Sequence, residues 1–302
     1  MKKAIIVIAH QKPEQLNLFL EQLLHDQDTY VFLHINKLCE DILPSIKRQE
    51  RLVITENRFV IHWGSDEILQ AILSLFTEIL KSAIAFEYVL ICTGQDLLIK
   101  SDLDRFLSKH KNQVFVDCDN RETQYMDLYE RARLLYRWPE VYRRKYDNRY
   151  HPFRILRSIH FRTLLKQPPF GKKIVDYDVT QMTFYKDYWQ CGLPIEVVEY
   201  ILKFISDNPG YMDIYKGAYI PEEGFITTIV MNSKYKSRIV FHGNISESIT
   251  LRGDERNDHP IIFTMKDLER LDNSDCYFAR KFDIDVDREI IQYLVERVKG
   301  KL

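Results

Sequence analysis

The chain has 302 residues, of which 45% are apolar and 29% charged, and its formal net charge is −1. These values describe a globular protein with a substantial core, and the near-neutral charge argues against a dedicated nucleic-acid binder. It has no stretch near the roughly 18 uninterrupted apolar residues of a membrane span, and its five cysteines form no CxxC pair, so we expect a reduced, cytoplasmic protein.

The first 120 residues alternate between strand-like and helix-like patterns. Ala4–Ala9 predicts a buried strand, Pro13–Asp26 an amphipathic helix that begins with proline, and Thr29–Asn36 a second strand. The same kinds of segment follow as short strands at Leu52–Thr55 and Arg58–His62, a helix at Ser65–Ile84, a strand at Phe86–Gly94, a helix at Ser101–His110 and a strand at Gln113–Asp119. This alternation predicts an α/β fold in a single domain, with a mostly parallel, Rossmann-like sheet flanked by helices.

Parallel sheets bind ligands at the carboxyl ends of their strands. The segments predicted to lie there are Ala9–His10, His34–Lys37, Thr93–Asp96 and Asp117–Asp119. The first strand is followed by AHQKPEQ in place of a dinucleotide-binding GxGxxG loop, and the chain contains no Walker A sequence. A nucleotide-type sheet without either signature leaves enzymes that use sugar nucleotides as a leading class.

The segment 129–173 is dense in arginine and lysine, with aromatic residues between them and few acids. One interpretation is a solvated helix-loop segment whose long side chains lie along the surface. The other is a surface for phosphate groups, either of a lipid-linked acceptor or of an anionic membrane. Beyond this segment the sequence predicts helices at Ile195–Pro209, Gly224–Asn232 and Asp287–Lys301, and a strand at Arg238–Phe241.

Two adjacent glutamates, Glu222 and Glu223, follow Pro221 and precede an apolar run. Proline at the first helical position and carboxylates in the first turn are preferred at helix starts, because the unpaired N–H groups and the dipole favour negative charge there. The local pattern therefore predicts that both glutamates lie in the first turn of a helix.

Seven short motifs, in this order, resemble the core-2/I-branching β-1,6-N-acetylglucosaminyltransferase family, which also contains the peptide O-xylosyltransferases. They are IAHQKPEQL, HINK, VIHWGSDEILQA, LICTGQDLLIKS, IPEEGFITTIV, HPIIFTMKDLE and FARKFD, within residues 8–283. The resemblance implies a GT-A-type fold, an inverting mechanism, a UDP-sugar donor and no obligatory divalent metal. Eukaryotic relatives are typically anchored by a membrane segment, and since this sequence shows none and has an odd number of cysteines, we expect a bacterial member. The resemblance divides the domain 1–302 into a nucleotide-sugar-binding half, 1–120, and an acceptor-binding and catalytic half, 121–302.

The resemblance assigns the general base to Glu223, which matches the second acidic residue of the family's P-(D/E)-E motif. Inverting transfer needs such a base to take the proton of the acceptor hydroxyl group. Glu222 then occupies the preceding acidic position, with a role at the helix start or in orienting the acceptor.

The departing UDP needs cationic stabilisation, and in metal-independent relatives basic side chains supply it. The resemblance assigns this role to Lys281, with Arg280 beside it. Arg252 and Arg256 are both candidates for a second cation.

The remaining donor-binding residues are expected at the ends of predicted strands. They are His10, Asn36, Thr93, Gly94, Gln95 and Asp96. Asn36 stands where relatives commonly carry aspartate, and its amide offers both a donor and an acceptor to a uracil edge. Asp96 has an alternative as a residue that caps a helix.

The acceptor is expected to contact Trp63 and Tyr185 in addition to Glu222. The relatives' GSQWW(S/T)L-like segment corresponds to Asp178–Pro194, which is longer here and lacks paired tryptophans. The acceptor is therefore less defined by the sequence than the donor nucleotide.

Two alternatives stand beside the metal-independent enzyme. Asp117 and Asp119 end an apolar strand, where a metal-dependent GT-A enzyme holds Mg²⁺ or Mn²⁺ with a DxD pair. The same pattern recurs at Asp176–Asp178 and Asp283–Asp287, so it is common in this sequence. The second alternative is a non-catalytic relative that binds carbohydrate or nucleotide.

The function expected from the resemblance is transfer of a sugar from a UDP-sugar to a hydroxyl group of a glycan or lipid-linked oligosaccharide. N-acetylglucosamine is the first choice of sugar, followed by xylose, glucose or galactose. The setting would be synthesis of a bacterial capsule or other surface polysaccharide, at the inner face of the cell membrane, without a cofactor or nucleic acid.

Overall fold

Strands and helices alternate along the chain in the computed structural model, which describes residues 1–118, 134, 137, 148, 150–164, 175–242, 245–253, 255–256 and 259–300. The strands in these ranges are β1 Lys3–Ala9, β2 Thr29–Ile35, β3 Leu52–Ile54, β4 Tyr88–Thr93, β5 Asp96–Leu98, β6 Phe115–Cys118, β7 Asp187–Pro194, β8 Phe241–His242, β9 Ile245–Ser246, β10 Thr250–Arg252, β11 Glu255–Arg256, β12 His259–Pro260 and β13 Phe278–Arg280.

The α-helices in the same ranges are α1 Pro13–Leu24, α2 Glu67–Lys81, α3 Leu103–Lys109, α4 Pro152–Leu164, α5 Ile195–Asp207, α6 Pro209–Tyr215, α7 Phe225–Met231, α8 Leu268–Asp272 and α9 Arg288–Val298. Short 3₁₀ helices lie at Lys37–Ser45, Val179–Gln181, Lys234–Arg238 and Met265–Asp267. None of the helices described here is both long and apolar enough to cross a membrane.

The main sheet has six strands in the order β3-β2-β1-β4-β7-β6. The first four are parallel to one another, and β7 runs antiparallel to both β4 and β6. A smaller sheet, in the order β10-β13-β5, brings the FAR segment of β13 beside Asp96–Leu98. The predicted fold class, α/β with a mostly parallel sheet flanked by helices, is confirmed.

The core consists of two layers, one on each face of the main sheet, as the β1 side chains show. All seven residues of β1 are buried, as expected for a parallel strand covered on both faces. Ile5 and Val7 pack into the layer that holds α1 and α9, whereas Ala4 and Ile6 pack into the layer that holds α2, α5 and α7. The alternation follows from the two-residue period of a strand.

The strand predicted at Arg58–His62 is absent, and this prediction is wrong. Backbone groups in this segment bond to the end of β2 through side chains instead. The Phe59 N–H group donates to His34 Nε2 at 2.9 Å and the Ile61 N–H group to Asn36 Oδ1 at 3.1 Å, while Asn36 Nδ2 donates to the Ile61 carbonyl at 2.7 Å. The segment therefore forms a loop, although its composition is typical of a strand.

Strand β7 was not predicted, and it lies between β4 and β6 in the main sheet. It comes from the stretch that the sequence comparison treated as a lengthened acceptor-site segment. Because β7 belongs to the second predicted half and pairs with strands of the first, both halves contribute to one sheet.

Most of the basic-aromatic segment 129–173 lies outside the described residues. Its described part consists chiefly of residues 150–164, which contain α4.

Candidate active site

A cavity of about 230 Å³ opens at the carboxyl ends of β1, β2 and β4. Its wall includes Ala9–Lys12 after β1, Asn36 after β2 and Thr93–Gln95 after β4. Three of the four predicted strand-end segments thus contribute to one site, and His10 lies on its wall. Gly94 lies close to β1, since a Cβ atom at this position would come within 3.0 Å of the Ala9 Cβ.

The fourth segment lies elsewhere. Asp117 is on β6, where it pairs in register with Tyr188 of β7, and Asp119 lies outside the described residues. In the described ranges, no group of three or more His, Cys, Asp or Glu side chains is arranged to hold a metal ion. Independence of a metal stays a prediction.

The other recurrences of the DxD pattern have partners within the protein. Asp178 accepts from the Thr180 N–H group at 3.0 Å at the start of a 3₁₀ helix. Asp283 accepts from Lys12 Nζ, which also lies 3.0 Å from Asp285 Oδ2. This lysine lowers the pKa of the Asp283 carboxyl against the opposing effect of its burial.

A buried network orients Arg280 at the cavity. Asp96 is fully buried and accepts from the Thr93 N–H and hydroxyl groups, each at 2.7 Å. Its Oδ1 also lies 3.1 Å from Arg280 Nη1, and Arg280 donates to Thr93 Oγ1 as well. The register of β13 against β5 places Arg280 opposite Asp96. Asp96 therefore positions the arginine, and the cap of the following helix, α3, is Asp102 instead.

The Gln95 side chain presents a buried amide at the same wall. Its backbone carbonyl accepts from the Phe282 N–H group at 2.9 Å, which holds the residue against the end of β13. Within the described part of the chain, Gln95 Nε2 has no hydrogen-bond partner. Buried amides are normally bonded, so this group is suited to a ligand oxygen.

The candidate cations differ in position. Arg280 lies on the cavity wall, whereas Lys281 and Arg252 are not among its described lining residues. Arg252 is the register partner of Arg280 on β10, and its guanidinium lies 3.1 Å from the centre of the Tyr188 ring. Arg256 lies on β11, and its side chain is outside the described part of the protein.

Asn36 and His34 shape the wall formed by the loop 58–62. Asn36 lies on the wall, but its amide is engaged by the Ile61 backbone and by the Leu38 N–H group at 3.1 Å. Burial lowers the pKa of His34 to about 4, and the ring is therefore neutral and accepts from the Phe59 N–H group. Contact of Asn36 with a uracil edge stays a prediction.

The two glutamates lie in a turn before α7, so their predicted place in the first turn of that helix is wrong. Helix α7 begins at Phe225, and all seven of its residues are buried. The Gly224 N–H group donates to the Glu222 carbonyl at 2.8 Å and closes the turn. Both glutamates are partly buried, whereas residues 224–231 after them are buried.

Only Glu222 of this pair is among the described residues of the cavity wall. Glu223 Oε2 lies 3.9 Å from Lys186 Nζ, and its side chain is partly exposed. The two adjacent carboxylates therefore have different surroundings, and the sequence did not predict which of them lies on the cavity wall.

The aromatic residues near the cavity come from distant segments. Trp63 is 45% exposed and meets Tyr219 edge to face, with ring centres 5.4 Å apart. Gly64 adopts φ 70°, and the Ile220 N–H group donates to its carbonyl at 2.9 Å, so the two turns are joined. Both Trp63 and Trp189 of β7 lie on the wall.

Sequence reasoning missed Trp189, because its strand was not predicted. Tyr185, which was expected to contact the acceptor, is buried in the core beside α7, where its N–H group donates to Thr228 Oγ1 at 3.1 Å.

Comparisons with known proteins give weak similarities. No family model matches the chain. A stretch of 126 residues, 40% of this chain, is 22% identical to a xylosyltransferase from Ciona intestinalis and spans 15% of that protein. Mouse xyloside xylosyltransferase 1 in its apo form aligns with 78% of this chain and 83% of its own, at a TM-score of 0.34 and 9% identity. A 4-diphosphocytidyl-2C-methyl-D-erythritol synthase from Anaerococcus prevotii aligns with 68% of this chain and 77% of its own, at a TM-score of 0.32 and 13% identity.

Proposed function

We propose that the protein is an inverting glycosyltransferase that moves a sugar from a UDP-sugar to a hydroxyl group of a glycan acceptor. The observation that carries this proposal is one cavity, at the carboxyl edge of the parallel strands, that joins Arg280, the Gln95 amide and Glu222. Such a reaction needs a cation at the departing diphosphate and a carboxylate at the acceptor. The ordered motifs and the 22% identity to a xylosyltransferase support the same class.

In this reaction the acceptor oxygen forms a bond to the anomeric carbon as the bond between that carbon and the diphosphate oxygen breaks. The electron pair of the broken bond leaves with UDP, and the hydroxyl proton passes to a carboxylate. Arg280 is suited to the diphosphate because Asp96 and Thr93 orient its guanidinium in advance. Arg252 is the register partner of Arg280 on the adjacent strand, and Asp96 is its partner on the other side. This row of three residues across the small sheet therefore contains two positive charges and a single carboxylate.

The base is one of two adjacent carboxylates. The motif resemblance assigns it to Glu223, and we retain that assignment as the proposal. A specific observation favours Glu222 as the alternative, since it is the glutamate on the cavity wall. Substitution of each by glutamine removes the charge while keeping the shape, and so distinguishes them.

We further propose N-acetylglucosamine as the first donor sugar to examine, before xylose, glucose and galactose, and a bacterial surface glycan as the acceptor. Catalysis without a metal follows from the same resemblance. The alternative is a metal-dependent enzyme that uses Asp117 and Asp119.

The test is release of UDP from each of the four UDP-sugars, measured with and without excess EDTA. We expect release that persists in EDTA with at least one donor. Loss of release in EDTA with recovery in Mn²⁺ would favour the metal-dependent enzyme. Binding of UDP by calorimetry, without turnover of any donor, would favour a non-catalytic binding protein.

A further inference from the structure

Helix α4 presents apolar side chains to the outside. Phe153, Ile155, Leu156 and Ile159 are 40%, 44%, 48% and 51% exposed, and Tyr150 just before the helix is also exposed. These five are half of the ten large apolar side chains that are exposed in the described ranges, yet they lie within ten residues of chain. Clustered exposure of this kind marks an interaction surface.

An arginine of the same helix is directed toward the protein. The Arg157 guanidinium lies 5.7 Å from the centre of the Trp63 ring and 6.0 Å from that of Tyr219. A surface helix that packs only against the core of its own protein shows the reverse arrangement, with apolar residues inside and arginines outside. The orientation of α4 is therefore suited to an apolar environment outside the protein.

The charge of the surrounding sequence indicates what that environment is. Segment 129–173 contains thirteen lysines and arginines and three acidic residues, whereas the whole chain has 43 and 44. An apolar helix face within a strongly basic segment is typical of an element that lies in the headgroup region of an anionic membrane. A second copy of this chain is a poorer occupant, because it would bring two such basic segments together.

We infer that α4 binds the surface of an anionic lipid membrane through Phe153, Ile155, Leu156 and Ile159. Because Arg157 connects the helix to Trp63, this orientation places the rim of the cavity near the lipid. If the proposed function is correct, a lipid-linked acceptor could reach the cavity without leaving the membrane. This consequence rests on the proposed function, whereas the membrane binding itself does not.

The test is flotation of the full chain with vesicles of phosphatidylcholine alone and of phosphatidylcholine mixed with phosphatidylglycerol. We expect binding to the mixed vesicles that weakens with salt and little binding to phosphatidylcholine alone. The double variant Ile155→Ser/Ile159→Ser should bind at least about tenfold more weakly, since apolar burial drives insertion. The matched control is Leu38→Ser/Val286→Ser, at two side chains that are 58% and 56% exposed elsewhere and whose loss should leave binding unchanged.

Three results would overturn the inference. They are absence of wild-type binding to the mixed vesicles, equal binding by the Ile155/Ile159 variant, and a dimer in sedimentation that this variant dissociates. Thermal unfolding of both double variants reports whether they fold. UDP release with a water-soluble acceptor should be unaffected by Ile155→Ser/Ile159→Ser, so flotation succeeds or fails independently of the proposed function.

Discussion

The two ends of the cavity are constructed differently. At the Thr93 end, a fully buried Asp96 holds Arg280, and its carboxylate accepts hydrogen bonds from the Thr93 N–H group, the Thr93 hydroxyl group and the Arg280 guanidinium. At the Trp63 end, the tryptophan is 45% exposed, and Glu223, next in the chain to Glu222 of the cavity wall, lies 3.9 Å from a lysine that is itself exposed. A rigid, charged end lowers the reorganisation that binding requires, whereas an open end can admit acceptors of different size.

This contrast predicts that substitutions at the buried end act on the donor and substitutions at the open end on the acceptor. The general base is the exception, because it lies in the turn at the open end and still takes part in the chemical step.

The largest effect is expected at the base. Glu223→Gln should lower kcat by about 10²- to 10⁴-fold, because the carboxylate no longer accepts the hydroxyl proton. Glu222→Gln should mainly raise KM for the acceptor. Steady-state UDP release with varied acceptor measures both. The opposite pattern, with the larger kcat loss in Glu222→Gln, would assign the base to the glutamate on the cavity wall.

A smaller loss is expected at the buried end. Arg280→Ala should lower kcat/KM for the donor by about 10²- to 10³-fold, because the departing diphosphate loses an oriented cation. Arg280→Lys should recover part of this loss, since it keeps the charge without the planar fork. The control is Arg238→Ala, which removes an ion pair with Glu196 outside the described cavity wall. Equal activity of Arg280→Ala and Arg238→Ala would contradict the assignment.

The buried wall should also respond to pH through His34. Its pKa of about 4 in the folded protein lies below the ordinary 6.5, so the unfolded chain binds a proton first as the pH falls. The folded state should therefore lose stability from about pH 6.5 down to about pH 4, amounting to about 2 kcal/mol between pH 7 and pH 5.

Urea denaturation at pH 7 and pH 5 measures this change. The variant His34→Gln keeps an acceptor for the Phe59 N–H group but does not titrate, so its loss between the two pH values should be smaller by about that amount. An identical pH dependence of wild type and variant would show that His34 is not the titrating group.

The smallest effect is expected at the open end. Trp63→Ala should raise KM for a glycan acceptor by about tenfold, the size of one lost aromatic contact, with little change in KM for the donor. Trp63→Phe should retain most of the affinity. A matched loss of donor affinity would indicate that Trp63 belongs to the donor end, and the contrast between the two ends would then fail.

Much of the fold could be predicted from the sequence. The apolar run at Ala4–Ala9 and the amphipathic helix after it lie within a residue or two of β1 and α1, because periodicity and a proline start are local signals. Thr93–Gln95 could be placed at the site from sequence because the carboxyl ends of parallel strands share an edge.

Other features depended on distant partners. Arg58–His62 has strand composition, but its backbone is bonded by His34 and Asn36, and no local pattern reveals that competition. Strand β7 pairs with strands far away in sequence. Trp189 belongs to this strand, and its place on the cavity wall therefore depends on the same long-range pairing.

The sequence by itself determined the alternating α/β architecture and the chemical groups available at the strand ends, since both follow from local order along the chain. Only the tertiary structure decided which member of each adjacent pair faces the cavity, Arg280 or Lys281 and Glu222 or Glu223. Neighbouring side chains in extended and turn backbone point in different directions. Which direction leads to the cavity is set by packing against β5, β10 and the turn at Trp63, all remote in sequence.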